Sequence, residues 1–76
     1  MEHKAGDLWR GPKSVRLVMM VSETEIGFHY WSTANYDSQS GPGAGNRCYT
    51  SREAFERWCR RNAELMGSAR LEARRG

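Results

Sequence analysis

Hydrophobic side chains recur at every second position in two neighbouring segments, residues 14–21 and residues 26–31. A period of two predicts β-strands. Val18 and Met20 also make part of the second face of the first strand apolar. The polar residues between the two segments predict a turn, and the pattern as a whole predicts a β-hairpin. The alternating positions are Val15, Leu17, Met19 and Val21, followed by Ile26, Phe28 and Tyr30.

Residues 33–46 have the composition of a loop, because Asn, Asp, Ser and Gly residues are concentrated there. A third, short strand is predicted at residues 46–49, directly before a helix. Thr50, followed three residues later by Glu53, has the spacing of a capping box, which predicts Thr50 as the N-cap residue of the helix. Gly67 is predicted to end this helix.

The predicted helix is amphipathic. At about 100° per residue, its apolar positions fall on one stripe and most of its charged positions lie opposite. Glu53 and Arg57, and likewise Glu56 and Arg60, are four residues apart, so the opposite charges within each pair can offset each other on the exposed side. The stripe consists of Phe55, Trp58, Cys59, Asn62, Leu65 and Met66.

These elements predict an α+β fold of order β-β-β-α, in which a three-stranded antiparallel sheet carries one C-terminal amphipathic helix on one face. The predicted domain covers residues 14–67. Residues 1–13 are expected to be an irregular N-terminal arm, and residues 68–76 a basic C-terminal tail or a further helical turn. A chain of 76 residues has room for a single small core.

The net charge of +3 is unevenly distributed. Residues 1–46 carry four basic and five acidic residues, a net charge of −1, whereas residues 47–76 carry eight and four, a net charge of +4. No stretch is long and apolar enough to predict a membrane span or a secretory signal, so a cytoplasmic location is expected. In that compartment Cys48 and Cys59 are predicted to be small buried hydrophobic residues, with a redox role as the alternative.

No group of residues has the spacing that catalysis or metal binding requires. The glycine-rich segment 41–47 lacks the Gly-Lys-Ser/Thr ending of a phosphate-binding loop. His29 has no identifiable acid or oxyanion group to form a catalytic set with Cys48 or Cys59. The histidines and cysteines do not have the intervals of a zinc site. The sequence therefore predicts a protein that is not an enzyme and has no metal or cofactor.

A contact surface can be predicted from the residues that the core and the charge pairs do not use. Among the aromatic residues, Trp31 and Tyr36, together with Trp9, are expected to be exposed. Arginine suits planar partners such as carboxylates and phosphates. The predicted partner-binding residues are Arg47, Arg52, Arg61, Trp31 and Tyr36.

The short strand through Cys48 and Tyr49, followed by the stretch Thr50-Ser51-Arg52-Glu53-Ala54-Phe55-Glu56-Arg57-Trp58, resembles small anti-CRISPR proteins of phages and mobile elements of GC-rich bacteria. The resemblance covers residues 14–66. It implies a non-enzymatic inhibitor that binds a CRISPR-Cas surveillance complex or nuclease in the cytoplasm of the bacterial host and blocks target DNA recognition or cleavage.

Two alternatives to this inhibitor remain open. The first is a small basic nucleic-acid-binding module that contacts the backbone through Arg47, Arg52, Arg61 and the tail arginines. The second is a prophage accessory protein that forms a homodimer through a sheet edge or through a second apolar face containing Val18, Met20 and Trp31.

Overall fold

The computed structural model describes residues 2–38, 40–41 and 43–68. Within them, five strands form one antiparallel sheet in the order β4-β3-β2-β1-β5. Neither helix in this part of the chain has the length and apolar character needed to cross a membrane. In chain order the elements are β1 (Asp7–Arg10), β2 (Ser14–Val21), β3 (Glu25–Ser32), α1 (Thr33–Tyr36), β4 (Asn46–Ser51), α2 (Arg52–Asn62) and β5 (Glu64–Ser68).

The small α+β class, the β2-β3 hairpin and the strand before the main helix are confirmed, but the count of three strands and one helix is wrong. Residues 7–10, predicted to be irregular, form β1 and pair with both β2 and β5. Four residues are too few to show a period, so pairing on both sides is what makes this segment a strand. Residues 69–76, which include most of the predicted tail, lie outside the described residues.

The main helix is shorter than the hydrophobic period predicts. It ends at Asn62, and the backbone of the next residue, Ala63, is extended, with φ −119° and ψ 156°. The chain then forms β5, which pairs with β1 and leaves Leu65 and Met66 exposed. The prediction that Gly67 stops the helix is therefore wrong. Residues 64–68 pair with β1 and so do not form the final turn of the helix.

The helix also begins one residue later than predicted. Ser51 is the cap, and its hydroxyl accepts a hydrogen bond of 3.1 Å from the Ala54 amide. Thr50 still belongs to β4, which pairs with β3 through Ser51. The Glu53 carboxylate lies 3.7 Å from Arg57, which confirms that predicted charge pair.

One hydrophobic core lies between α2 and one face of the sheet. Phe55 and Cys59 are buried there, as the helical stripe predicts, and burial raises the pKa of the Cys59 thiol to about 12. The side chain of Asn62 lies outside the described residues. The buried core consists of Trp9, Val18, Ile26, Phe28, Phe55 and Cys59.

Two polar residues complete this core. The Arg16 guanidinium carbon lies 3.9 Å from the centre of the Trp58 ring and 4.8 Å from that of Phe28, and burial lowers the pKa of Arg16. The His3 ring is buried, 5.3 Å from the Phe55 ring centre, and burial lowers the pKa of His3. The N-terminal segment thus packs on the core.

Candidate binding surface

The sheet face opposite α2 is divided into two halves, and the chain itself covers one of them. In this covered half, the Trp31 side chain is 8% exposed and its ring centre lies 5.5 Å from that of Tyr36. The Trp31 indole N–H donates a hydrogen bond of 3.2 Å to the Gly43 carbonyl. Val15, the neighbour of Trp31 on β2, is buried as well. Helix α1 and the glycine-rich loop therefore form a lid over this half.

An ion pair holds the lid to β1. The Arg10 guanidinium donates two hydrogen bonds, of 2.9 and 2.5 Å, to the two carboxylate oxygens of Asp37. These hydrogen bonds lower the pKa of Asp37. The Ser32 hydroxyl caps α1 by accepting a hydrogen bond from the Asn35 amide. The two-point geometry fixes the direction in which the loop leaves α1.

The other half of this face is open, and a cleft of about 190 Å³ lies on it. Its apolar side chains are exposed: Met19 by 50%, Met20 by 39% and Tyr49 by 57%. Exposed apolar side chains that lie together around a cleft are typical of a contact surface. We call this surface the open patch; it consists of Met19, Met20, Gly27, His29, Arg47 and Tyr49.

A β-bulge in β2 creates the open patch. Val18 pairs with Phe28, but Met20 pairs with Gly27, so Met19 is the extra residue. A bulge of this kind changes which side chains face which side. It returns Val21 to the core side while both methionines border the cleft. The strict alternation predicted for this strand therefore fails after Val18.

Gly27 forms the floor of the cleft. A Cβ atom built on Gly27 would lie 2.7 Å from Cε1 of Tyr49, its cross-strand partner, which is closer than side chains pack. The Tyr49 ring therefore rests directly on the Gly27 backbone. The missing side chain at position 27 lets the exposed ring of Tyr49, on the edge strand β4, pack against the backbone of β3.

Basic character is concentrated at one end of the open patch. His29 and Arg47 are cross-strand partners, and none of the described residues that line the cleft is acidic. Glu25 lies further along β3 opposite Ser51, near the other end of β4. The charge on this face thus changes from basic at Arg47 to acidic at Glu25.

The structure brings one of the five predicted partner-binding residues into the open patch. Arg47 lines the cleft. Trp31 is buried beneath the lid, and Tyr36, which belongs to the lid, is half-buried against Trp31, so the expectation that both are exposed is wrong. Trp9, also expected to be exposed, is part of the core. These aromatic side chains pack against other residues of the protein instead of forming an exposed contact surface.

The other two predicted residues lie elsewhere. Arg52 begins α2 and donates a hydrogen bond of 3.1 Å to the Ser22 carbonyl, which ties the helix to the β2-β3 turn. Arg61 is exposed near the other end of α2, about 14 Å along the helix axis. It borders a second cleft, which Arg10 and Glu64 also line.

Met19, Gly27 and Tyr49 were not predicted as contact residues. One sequence signal, the second apolar face of the first strand, named Met20 as a contact residue in the homodimer alternative. That signal included Val18 and Trp31 as well, and both are buried.

His29 and the two cysteines lie on opposite faces of the sheet. His29 lines the open patch, whereas Cys59 lies in the core and Cys48 packs against that core. The raised pKa of Cys59 keeps its thiol protonated, which disfavours nucleophilic attack. Among the described residues, no group of three or more His, Cys, Asp or Glu side chains could hold a metal ion.

Comparisons with protein-family models, with curated proteins and with solved structures found no match to this chain.

Proposed function

We propose that this chain is a small non-enzymatic binding protein that contacts a partner protein through the open patch. The observation that carries the proposal is the exposure of Met19, Met20 and Tyr49 on a sheet face whose other half the chain covers itself. Interfaces are enriched in methionine, aromatic residues and arginine, and the open patch offers all three.

A narrower proposal comes from the resemblance to anti-CRISPR proteins. In it, the partner is a CRISPR-Cas surveillance complex or nuclease in the bacterial cytoplasm, and binding blocks target DNA recognition or cleavage. The net charge of +3 disfavours mimicry of DNA. The chain would instead bind an acidic protein surface or the guide-RNA backbone, and the exposed Arg47 at the cleft supports either contact.

The open patch supports nucleic-acid binding less well. Proteins that bind single strands combine several cations with a series of stacked aromatic rings. Among the described residues of the open patch, Arg47 is the one arginine and Tyr49 the one exposed aromatic ring. Arg52 and Arg61 are too far apart on α2 to complete a short basic track with it.

Site-specific photo-crosslinking in bacterial cells tests the binding proposal. A photo-crosslinking phenylalanine analogue replaces either Tyr49 or Tyr30, because Tyr30 is a matched tyrosine that is exposed on the helix side of the sheet. We expect a discrete protein adduct from position 49, lost on Met20→Glu, and none from position 30. Equal adducts from both positions, or adducts with nucleic acid alone, would contradict the proposal.

The narrower proposal has its own test, in strains that each carry one defined CRISPR-Cas type and are challenged with a targeted phage. Expression of the chain should restore plaque formation in at least one strain. Tyr49→Ser should abolish the effect and Tyr30→Ser should leave it intact. If no strain regains plaques, the inhibitor identity is rejected, whatever the crosslinking result.

A further inference from the structure

The open patch lies beside an unpaired sheet edge. Within the described part of the chain, β4 pairs with β3 alone and ends the strand order. An edge strand presents a row of backbone N–H and C=O groups that can pair with another chain. Alternate residues of β4 project to the same face, so Arg47 and Tyr49 both point to the open patch.

Arg47 differs from Arg10, which lies on the same face, in having no partner among the described residues. Arg10 forms its two hydrogen bonds with Asp37. Arg47 is exposed and, among the described residues, has neither a carboxylate nor a hydrogen-bond acceptor. A guanidinium group in that position matches a planar carboxylate supplied from outside.

The cleft next to Arg47 has the size of one large side chain. Its volume is about 190 Å³, somewhat above the ~150 Å³ that suffices for a benzene ring in a protein cavity. Gly27 forms its floor, Tyr49 lies along one side, and the methionines border it. Methionine side chains adapt to the shape of whatever apolar group enters.

We propose that the open patch binds an extended acidic-apolar segment of the partner protein, which adds to β4 as a sixth strand. This inference rests on the proposed function and specifies the partner's chemistry. Side chains that share a face recur at every second residue of a strand. The segment therefore carries Asp or Glu opposite Arg47 and, two residues away, a large apolar side chain that enters the cleft. Glu25 disfavours a second acidic residue at the Ser51 end.

Synthetic peptides test this inference. One ten-residue extended peptide has Glu and Phe two positions apart, a second has Lys in place of that Glu, and a third carries a central proline that removes a backbone N–H. Nuclear magnetic resonance titration of the intact chain reports binding through the shifts of individual backbone amides. We expect the Glu peptide to shift β4 and open-patch amides and to bind at least about threefold more tightly than the Lys peptide.

Charge exchange sharpens the test. Arg47→Glu should reverse the preference between the Glu and Lys peptides, and Arg61→Glu, which makes the same charge change on α2, should leave it unaltered. The proline peptide should lose most of its binding, because a ladder hydrogen bond is missing.

Three results would overturn the inference. The first is equal affinity for the Glu and Lys peptides, and the second is shifts at β5, the opposite edge of the sheet. The third is concentration-dependent dimerisation, measured by light scattering, that shifts the β4 amides without peptide, since a second copy would then be the occupant. A position-49 crosslink combined with any of these would keep the binding function and reject the acidic segment.

Discussion

The covered half and the open half of the helix-free face share one local arrangement but differ in what lies above it. In each half an aromatic ring rests on a glycine. A Cβ built on Gly45 would lie 2.7 Å from Trp31, and one built on Gly27 would lie 2.7 Å from Tyr49. Yet Trp31 is 8% exposed and Tyr49 is 57% exposed.

The difference lies in the lid. Over Trp31 the chain supplies helix α1, the Gly43 carbonyl and the Arg10–Asp37 ion pair. Over Tyr49 the described residues supply no comparable cover. We infer that stability depends on the covered half and binding on the open half, which makes substitutions in the two halves separable.

The largest expected effect contrasts the two aromatic residues. Trp31→Ala should lower the free energy of unfolding by about 3–5 kcal/mol, because it removes a buried ring and leaves a cavity. Tyr49→Ala should cost about 1 kcal/mol or less, the range of an exposed cross-strand pair. Urea unfolding followed by far-ultraviolet circular dichroism measures both. Similar losses for the two variants would show that the halves are not energetically distinct.

Much of the sheet could be predicted because its signals are local. The alternation in residues 14–31 predicted the β2-β3 hairpin, and the apolar stripe placed Phe55 and Cys59 in the core. The two missed strands, β1 and β5, depend on each other. They pair across most of the chain length, so neither segment carries the information alone.

The open patch was largely unpredictable for a similar reason. The bulge at Met19 shows only in the register between two strands, and the cleft exists because Gly27 faces Tyr49 across β3 and β4. Trp31 illustrates the opposite error. An aromatic residue with no place in the helical stripe looked exposed, but the loop after α1 folds back over it.

A medium effect is expected from adding a methyl group to each glycine. Gly45 has φ +76°, a conformation that costs other residues about 1–2 kcal/mol, and its methyl group would also meet the buried Trp31 ring. Gly45→Ala should therefore destabilise the fold by about 2 kcal/mol or more. Gly27→Ala should change stability by about 1 kcal/mol or less, since the exposed Tyr49 ring can turn away into solvent.

Gly41→Ala separates the two contributions at Gly45. Gly41 has φ +90°, but a Cβ there would meet nothing within 4 Å. This variant should show the backbone cost alone and so fall between the other two in urea unfolding. Should Gly27→Ala prove as costly as Gly45→Ala, the Tyr49 ring would have to be as firmly held as Trp31, and the open half would not be free to receive a partner.

The smallest expected effect contrasts the two arginines of this face. Arg10→Ala should lower stability modestly because it releases the lid, and Arg47→Ala should leave stability unchanged because no described residue pairs with Arg47. The hydrogen bonds from Arg10 hold the pKa of Asp37 below its ordinary value of 3.8. The folded state thus holds the Asp37 proton less tightly than the unfolded chain does, so the pair stabilises the fold above that value and loses its effect as the pH falls through the lowered pKa.

The stability difference between the natural chain and Arg10→Ala should accordingly be largest near neutral pH, shrink in strong acid and decrease with added salt, because both groups are solvent-exposed. Urea unfolding across this pH range, with Asp37→Asn and the double variant, isolates the coupling between the two side chains. A difference that persists unchanged in acid would mean that Arg10 holds the lid by packing and not by its charge. The lid would then be held by apolar packing alone. The carboxylate partner of Arg10 would no longer explain why the Arg10 and Arg47 substitutions differ in their effect on stability.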